Sequence, residues 1–203
     1  MKRWDLERLK RIRDMDSQFL DPRSIEDVAS CRLCANLGMD HVPAQGAVGA
    51  SLMIIGSHPG HREVETAKPI QGAAGELIDM LLSRAGLSRL DAYITYVVKC
   101  KPPNMRNLLP AETRNCMQQW LKQEIKAINP SVVLLIGKQA FNDVLGSAAA
   151  GVEFTHGGST TNKSGRLFMF SYHPSWFIRR GNLGEFMELG DKIANHLEGG
   201  SPD

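Results

Sequence analysis

Four cysteines in a chain of 203 residues carry the most chemistry. Cys31 and Cys34 form a Cys-x2-Cys pair, Cys100 follows after 65 intervening residues, and Cys116 after a further fifteen. Four thiolates suit a 4Fe-4S cluster or a tetrahedral zinc ion; four unrelated buried thiols are the plain alternative. A zinc ribbon supplies two close knuckles, whereas here the second pair is split, so the spacing favours iron and sulfur. Redox context points the same way. No stretch approaches the roughly 18 apolar residues of a membrane span. The opening MKRWDLERLKRIRDM is charged where a secretory signal is apolar. An intracellular, cytoplasmic protein without a membrane segment is expected, and reduced thiols there ligate metal more often than they pair. Two further segments bear reactive side chains at loop-like sites: GSHPG over 56–60 and SYHPSWFIRR over 171–180.

Positioning these groups requires a scaffold. Leu6, Leu9, Ile12 and Met15 recur at helical spacing among charges, which predicts an amphipathic helix. SLMIIG (51–56) reads as a buried strand ending in a Gly/Pro loop, followed by the helical pattern GELIDMLLSRAGL (75–87). DAYITYVVKC is a second strand, 110–128 a helix with proline at its start, SVVLLIG (131–137) a third strand and KQAFNDVLG a helix. RLFMFS opens a fourth strand, whose continuation YHPSWFIRR reads as a loop. Strands alternating with helices, and apolar enough to be covered on both faces, predict a three-layer α/β/α sandwich around a mainly parallel four-stranded sheet. One domain over 1–197 is expected, with a loose tail at 198–203 and GGSTTNKSG (157–165) as a polar hairpin or loop. Ligands of such sheets sit beyond the carboxyl ends of the strands, so the loops 56–75, 96–110 and 171–180 are the places to look. A net charge of +2 permits contact with a polyanion without demanding it.

At those loops the chain resembles the uracil-DNA glycosylase superfamily, and in particular its iron-sulfur branch, family four. CRLC, IIGSHPGHREVETAKPIQGAAGELIDMLLSRAGL, YITYVVKCKPPNMRN, the helix bearing Cys116, PSVVLLIGKQA and SYHPSWFIRR carry the likeness, in that order. The resemblance implies a 4Fe-4S cluster held by Cys31, Cys34, Cys100 and Cys116, and DNA, single- or double-stranded, as the partner of a monomer. It implies base flipping followed by hydrolysis of the N-glycosidic bond, leaving an abasic site. His173 then stabilises the departing base, and an apolar residue among Trp176, Phe177 and Ile178 fills the vacated stack. Ser175, Arg179 and Arg180 are expected to meet the DNA, together with Lys99, Lys101 and Arg106, which are taken to project from the strand end to solvent.

The base pocket departs from the family. Gly56, Ser57, His58, Pro59 and Gly60 stand where Gly-Glu-Ala-Pro-Gly or Gly-Glu-Gly-Pro-Gly is usual, so a glutamate beside the base is missing and His58 becomes a candidate general base. Glu63 is the other candidate for orienting the water or the sugar cation, and His58 as a packing or capping residue is the plain reading. Ile70 replaces the aromatic platform after Lys-Pro, and Tyr96 replaces the asparagine that reads the base edge; its ring is a candidate substitute for the lost stacking. Uracil or another deaminated base is the substrate the resemblance implies. A modified base such as the hypermodified cytosine of phage DNA, with a role in antiviral defence, and a non-catalytic DNA-binding iron-sulfur protein are the alternatives.

Overall fold

A computed structural model of the protein describes residues 31–34 and 40–199; the helix expected around Leu6–Met15 lies outside them. The apolar runs become strands and the periodic segments become helices. After β1 (Gln45–Gly46) and β2 (Leu52–Gly56) come α1 (His61–Thr66), α2 (Gly72–Arg84) and β3 (Ala92–Tyr96). Next follow α3 (Pro110–Cys116), a π-turn (Met117–Leu121), α4 (Lys122–Ile128) and β4 (Val132–Ile136). The remainder is α5 (Lys138–Leu145), β5 (Gly158–Thr161), β6 (Leu167–Ser171), α6 (Pro174–Arg180) and α7 (Leu183–Gly199).

The strands form one sheet in the order β1-β3-β2-β4-β6-β5. Its four central strands are parallel, pairing Ile54 with both Ile94 and Leu134, and Leu134 with Met169. These are the four expected strands. Two short antiparallel edges, β1 and β5, are added. Neither carries an apolar signal: β1 is a Gln-Gly pair, and β5 is the polar Gly-Ser-Thr-Thr of the segment expected as a hairpin or loop, alternating between half-buried and exposed. Asn162 Oδ1 closes its turn by accepting from the Ser164 and Arg166 amides.

Strand alternation divides the core into two layers. Leu52, Ile54, Ile94, Val132, Leu134 and Met169 meet Ile78, Leu81, Phe177, Phe186 and Ile193 of α2, α6 and α7. On the other face Met53, Ile55, Val133, Leu135 and Phe170 meet Leu121, Ile128 and Phe141 from the π-turn, α4 and α5. Each fully buried large side chain contributes about 1.5–3 kcal/mol, so both layers are strongly held. The segment after β6 is a helix where a loop was expected. Pro174 sits at N1, His173 caps the start and Gly181 ends it at φ 69°. Glu198 and Gly199, expected in the tail, close α7. Among the described residues no helix is long and apolar enough to cross a membrane.

Candidate active site and cysteine centre

Chain direction places the site. From β2 the chain moves to β3 on one side, then returns to β4 and β6 on the other. The carboxyl ends of β2 and β4 therefore flank the switch point where a doubly wound sheet opens a crevice. The loops after β2 and β6 both leave the sheet at this edge, from the carboxyl ends of parallel strands. Gly137, at φ +91°, turns the chain out of β4 with its Cα side facing the His173 Cβ, 3.9 Å from where a side chain would start.

The two histidines hold complementary hydrogen-bond patterns. His173 is the N-cap of α6, and its Nδ1 accepts from the Ser175 amide at 3.3 Å and lies 2.8 Å from Ser175 Oγ. An Nδ1 that accepts an N–H carries no proton, so the neutral ring bears its hydrogen on Nε2. The ring reaches solvent but is flanked by protein. Desolvation pushes its pKa below the usual imidazole value; Arg179 and His58 push the same way, and Glu63 opposes them. His58 is the mirror case: its Nδ1 lies 3.1 Å from the Pro59 carbonyl, which can only accept, so Nδ1 is the donor and Nε2 keeps a lone pair.

Glu63 acts first as a staple. Its Oε2 accepts from the Gly60 amide at 2.9 Å, capping α1, and its Oε1 accepts from the Gln71 amide at 2.8 Å, the entry to α2. One carboxylate thus ties the Gly-Ser-His-Pro-Gly loop to the Lys-Pro-Ile-Gln loop. The first loop is tied to the strand beside it as well, the Val97 and Val98 amides donating to the Gly56 and Ser57 carbonyls at 2.8 and 2.9 Å.

Tyr96 does not offer a stacking platform. It is 4 % exposed, its ring packs over Gly56, and its hydroxyl accepts from the Ile70 amide at 2.7 Å. Burial pushes the phenol far above its ordinary range, and Glu63 adds to this, so it remains neutral. Ile70 is a β-branched residue at φ +46°, a conformation that needs outside support. Arg89 supplies it, donating to the Ile70 carbonyl at 2.7 Å and to the Pro69 carbonyl at 2.9 Å, with a further ion pair to Asp79. Sequence reasoning missed Arg89, which stands in a bare Ser-Arg-Leu with no motif around it. A cleft of about 430 Å³ is lined by Arg62, Lys68, Gln71, Glu76 and Arg89, and neither His58 nor His173 lines it.

Of the residues expected to meet DNA, two are internal. Lys99 is 1 % exposed, its ammonium bound by Glu124 Oε2 at 2.6 Å, the Tyr96 carbonyl at 2.8 Å and Thr95 Oγ1. Its side chain runs back along the strand instead of out of the loop. Phe177 is fully buried among His156, Trp176 and Phe186, because the helix turns that position inward. Arg106 is held by Glu112 through contacts of 2.6 and 2.9 Å, and Lys101 lies 3.8 Å from Asp40. Ile178, Arg179 and Arg180 are exposed, and Arg180 lies 4.5 Å over the half-buried Trp176 ring.

The cysteines lie on three segments. An antiparallel bridge pairs His41 with Cys100, flanked by Val42 N–Lys99 O at 2.8 Å and Lys101 N–Asp40 O at 3.2 Å. Cys116 closes α3, with its sulfur accepting from the Lys99 amide at 3.3 Å. All four are free thiols. Burial raises Cys100 far above the usual thiol value, and Cys116, Cys31 and Cys34 raise it further; Cys116 is pushed up to about 11, again chiefly by burial, with Lys99 opposing. The four therefore share one electrostatic neighbourhood. Among the described residues no three of His, Cys, Asp or Glu are grouped to hold a metal ion.

An α/β/α sandwich with two histidines at its switch point and four thiols beside it defines the class, and comparison with known proteins gives the family. Residues 43–194 match the uracil DNA glycosylase superfamily. The chain is 30 % identical to the Type-4 uracil-DNA glycosylase of Archaeoglobus fulgidus over 86 % of its length and 92 % of that protein. It is 31 % identical to that of Thermotoga maritima (76 % and 81 %) and 34 % identical to that of Pyrobaculum aerophilum (72 % and 78 %). The chain belongs to the uracil DNA glycosylase superfamily.

Proposed function

We propose that the protein is a DNA glycosylase that hydrolyses the N-glycosidic bond of a base flipped out of DNA, with uracil or another deaminated base as its substrate. The complementary states of His58 and His173 carry this reading. Bond cleavage leaves negative charge on the base and positive charge on the sugar. His173 Nε2–H is a donor for the base oxygen on which charge grows, and its lowered pKa keeps it a neutral donor at physiological pH. Removing such a donor typically costs about 3–4 kcal/mol of transition-state stabilisation. His58 Nε2 is free to take a proton from the attacking water, and Glu63 places an anion beside the same crevice. Arg179, Arg180 and Lys101 are the cations suited to phosphates, and Trp176 or Ile178 to the emptied stack.

Cys31, Cys34, Cys100 and Cys116 would hold a 4Fe-4S cluster. The Lys99 amide already donates to the Cys116 sulfur, and a cationic inorganic centre would stabilise the thiolates of the other three alongside it. The split spacing, one Cys-x2-Cys pair with two distant single cysteines, suits a 4Fe-4S cluster better than a zinc ribbon. Bound there, the cluster supplies a cross-link between the Cys-x2-Cys segment, the end of β3 and α3. A monomer acting in the cytoplasm completes the reading.

Tyr96 favours a second substrate reading. Its oxygen is committed to the Ile70 amide, and it offers none of the donor–acceptor pair with which an asparagine amide separates uracil from cytosine. A base other than uracil, a modified cytosine included, therefore belongs in the same assay. Anaerobically purified protein is incubated with oligonucleotides each carrying one altered base, and alkali-labile sites are counted. Excision of at least one base, abolished in His173→Ala, is the expected result. A blank panel with salt-sensitive DNA binding intact would replace the enzyme by a binding protein.

A further inference from the structure

His156 is a half-buried imidazole that the proposed chemistry does not use. Its setting is tightly built. Gly157 follows at φ +72° with its amide on the Phe170 carbonyl at 3.0 Å, and a Cβ at residue 158 would run into the Phe170 ring and Thr155 Oγ1. The ring then meets three residues that flank His173 in the chain: it is edge-on to Phe177 with centroids 4.8 Å apart, near-parallel to Tyr172 at 6.3 Å, and its Nδ1 lies 2.9 Å from Ser171 Oγ. Its Nε2 lies 2.9 Å from the Glu185 carbonyl, on the first turn of α7. A carbonyl only accepts, so Nε2 bears the hydrogen and the neutral ring presents a lone pair on Nδ1. Ser171 Oγ is fully buried, 2.9 Å from that lone pair and 2.9 Å from the Tyr172 carbonyl, and its single hydrogen serves both. That carbonyl belongs to the peptide leading into His173. A phenylalanine would fill the same aromatic contacts; what an imidazole adds is a hydrogen bond at each end.

We propose that His156 is a positioning residue for His173: through Ser171 it fixes the Tyr172–His173 peptide against α7, and with it the line along which His173 Nε2–H meets the departing base. This rests on the glycosylase reading above. The His173 ring is clasped at Nδ1 by Ser175, two residues on, and a clasp so local moves with its own backbone. His156 supplies the outside reference, because it reaches the end of β6 from one ring nitrogen and α7 from the other. Misplacing a reacting group by about 1 Å costs about 10²-fold in rate, so a small shift of this peptide is enough to matter.

The test removes the two bonds one at a time. A glutamine amide reaches the place of Nε2 and an asparagine amide that of Nδ1, so His156→Gln keeps the Glu185 link and loses Ser171, and His156→Asn does the reverse. Both, together with Ser171→Ala, are purified anaerobically and compared with the wild type. Measured are the urea midpoint, the Kd for DNA, the single-turnover excision rate on a base the wild type removes, and the nitrogen resonances of the His173 ring. In His156→Gln and Ser171→Ala we expect excision at least about tenfold slower, Kd within about threefold of wild type and shifted His173 resonances. His156→Asn should excise within about threefold of wild type, even where its urea midpoint is the lowest of the set. Wild-type excision with unshifted His173 resonances in His156→Gln would overturn the proposal. So would rates that simply follow the urea midpoints, or failure of both His156→Gln and Ser171→Ala to fold, because the ring would then serve the fold alone. A wild type that excises no base sinks the glycosylase reading and this inference with it, whereas an active wild type with an indifferent His156→Gln sinks this inference alone.

Discussion

Replacing Gly56 by alanine probes how tightly Gly56, Tyr96 and Ile70 are packed together. A Cβ at residue 56 would lie 2.9 Å from both Cδ1 and Cε1 of Tyr96, well inside carbon–carbon contact. An exposed tyrosine would swing aside at little cost. Tyr96 is 4 % exposed, and its hydroxyl is bonded at 2.7 Å to the amide of Ile70, which Arg89 holds by its carbonyl. Either the ring stays and is overpacked, at about 1–3 kcal/mol, or it moves and leaves the buried Ile70 amide unpaired, at about 1–3 kcal/mol. We expect Gly56→Ala to cost about 1–3 kcal/mol by urea denaturation, since the chain adopts the cheaper mixture of the two. A double-mutant cycle isolates the cause. In a Tyr96→Val background the added methyl has room, and its cost should fall below about 0.5 kcal/mol, giving a coupling of at least about 0.5 kcal/mol. Additive effects, or a Gly56→Ala protein as stable as the wild type, would refute the packing argument.

His173→Ala should lower the excision rate by about 10²- to 10³-fold in single-turnover assays while leaving DNA affinity near wild type. Because the folded-state pKa of His173 lies below the unfolded imidazole value of about 6.5, its neutral form is the one the fold favours. Its share of stability is complete above that value and is lost as pH falls through the folded pKa, so urea midpoints of wild type and His173→Ala should converge toward acid. His58→Ala should cost about 10²- to 10⁴-fold in single-turnover excision rate, which checks its part as base. Arg179→Ala and Arg180→Ala should each reduce the salt slope of DNA binding by about one, whereas the Lys99→Gln, Glu124→Gln pair should leave it unchanged, since that ammonium never meets a phosphate. Phe177→Ala should lose about 3–5 kcal/mol of stability, as for a filled core site and unlike an inserted wedge.

The four parallel strands were legible because both their faces are covered: apart from Thr95 and Ser171, LMIIG, AYITY, VVLLI and LFMFS are made of apolar and aromatic residues and glycine. Edges β1 and β5 were not, since an edge strand needs backbone partners and no apolar pattern. The helix after His173 was hidden by its own start, where a proline that reads as a loop signal is equally the preferred first residue of a helix. Lys99 and Phe177 show the limit most sharply. Basic and apolar side chains beside a presumed nucleic-acid loop carry no mark of direction, and each was turned inward by something distant in sequence: Glu124 on α4 for the lysine, Phe186 on α7 for the phenylalanine.

The same long-range logic explains why residues 56, 70 and 96 belong together. Tyr96 fits only because residue 56 lacks a Cβ, its hydroxyl has a partner only because Ile70 is bent to a positive φ, and that bend is held by Arg89 and, one residue on, by Glu63. A single return from Tyr96 to asparagine would therefore vacate the space above Gly56 and orphan the Ile70 amide, without restoring a base-reading edge by itself. Base preference should shift only when positions 70 and 96 change together. Excision assays on Tyr96→Asn, Ile70→Phe and the double variant measure this, and a full switch of base preference in Tyr96→Asn alone would show that positions 70 and 96 do not act together.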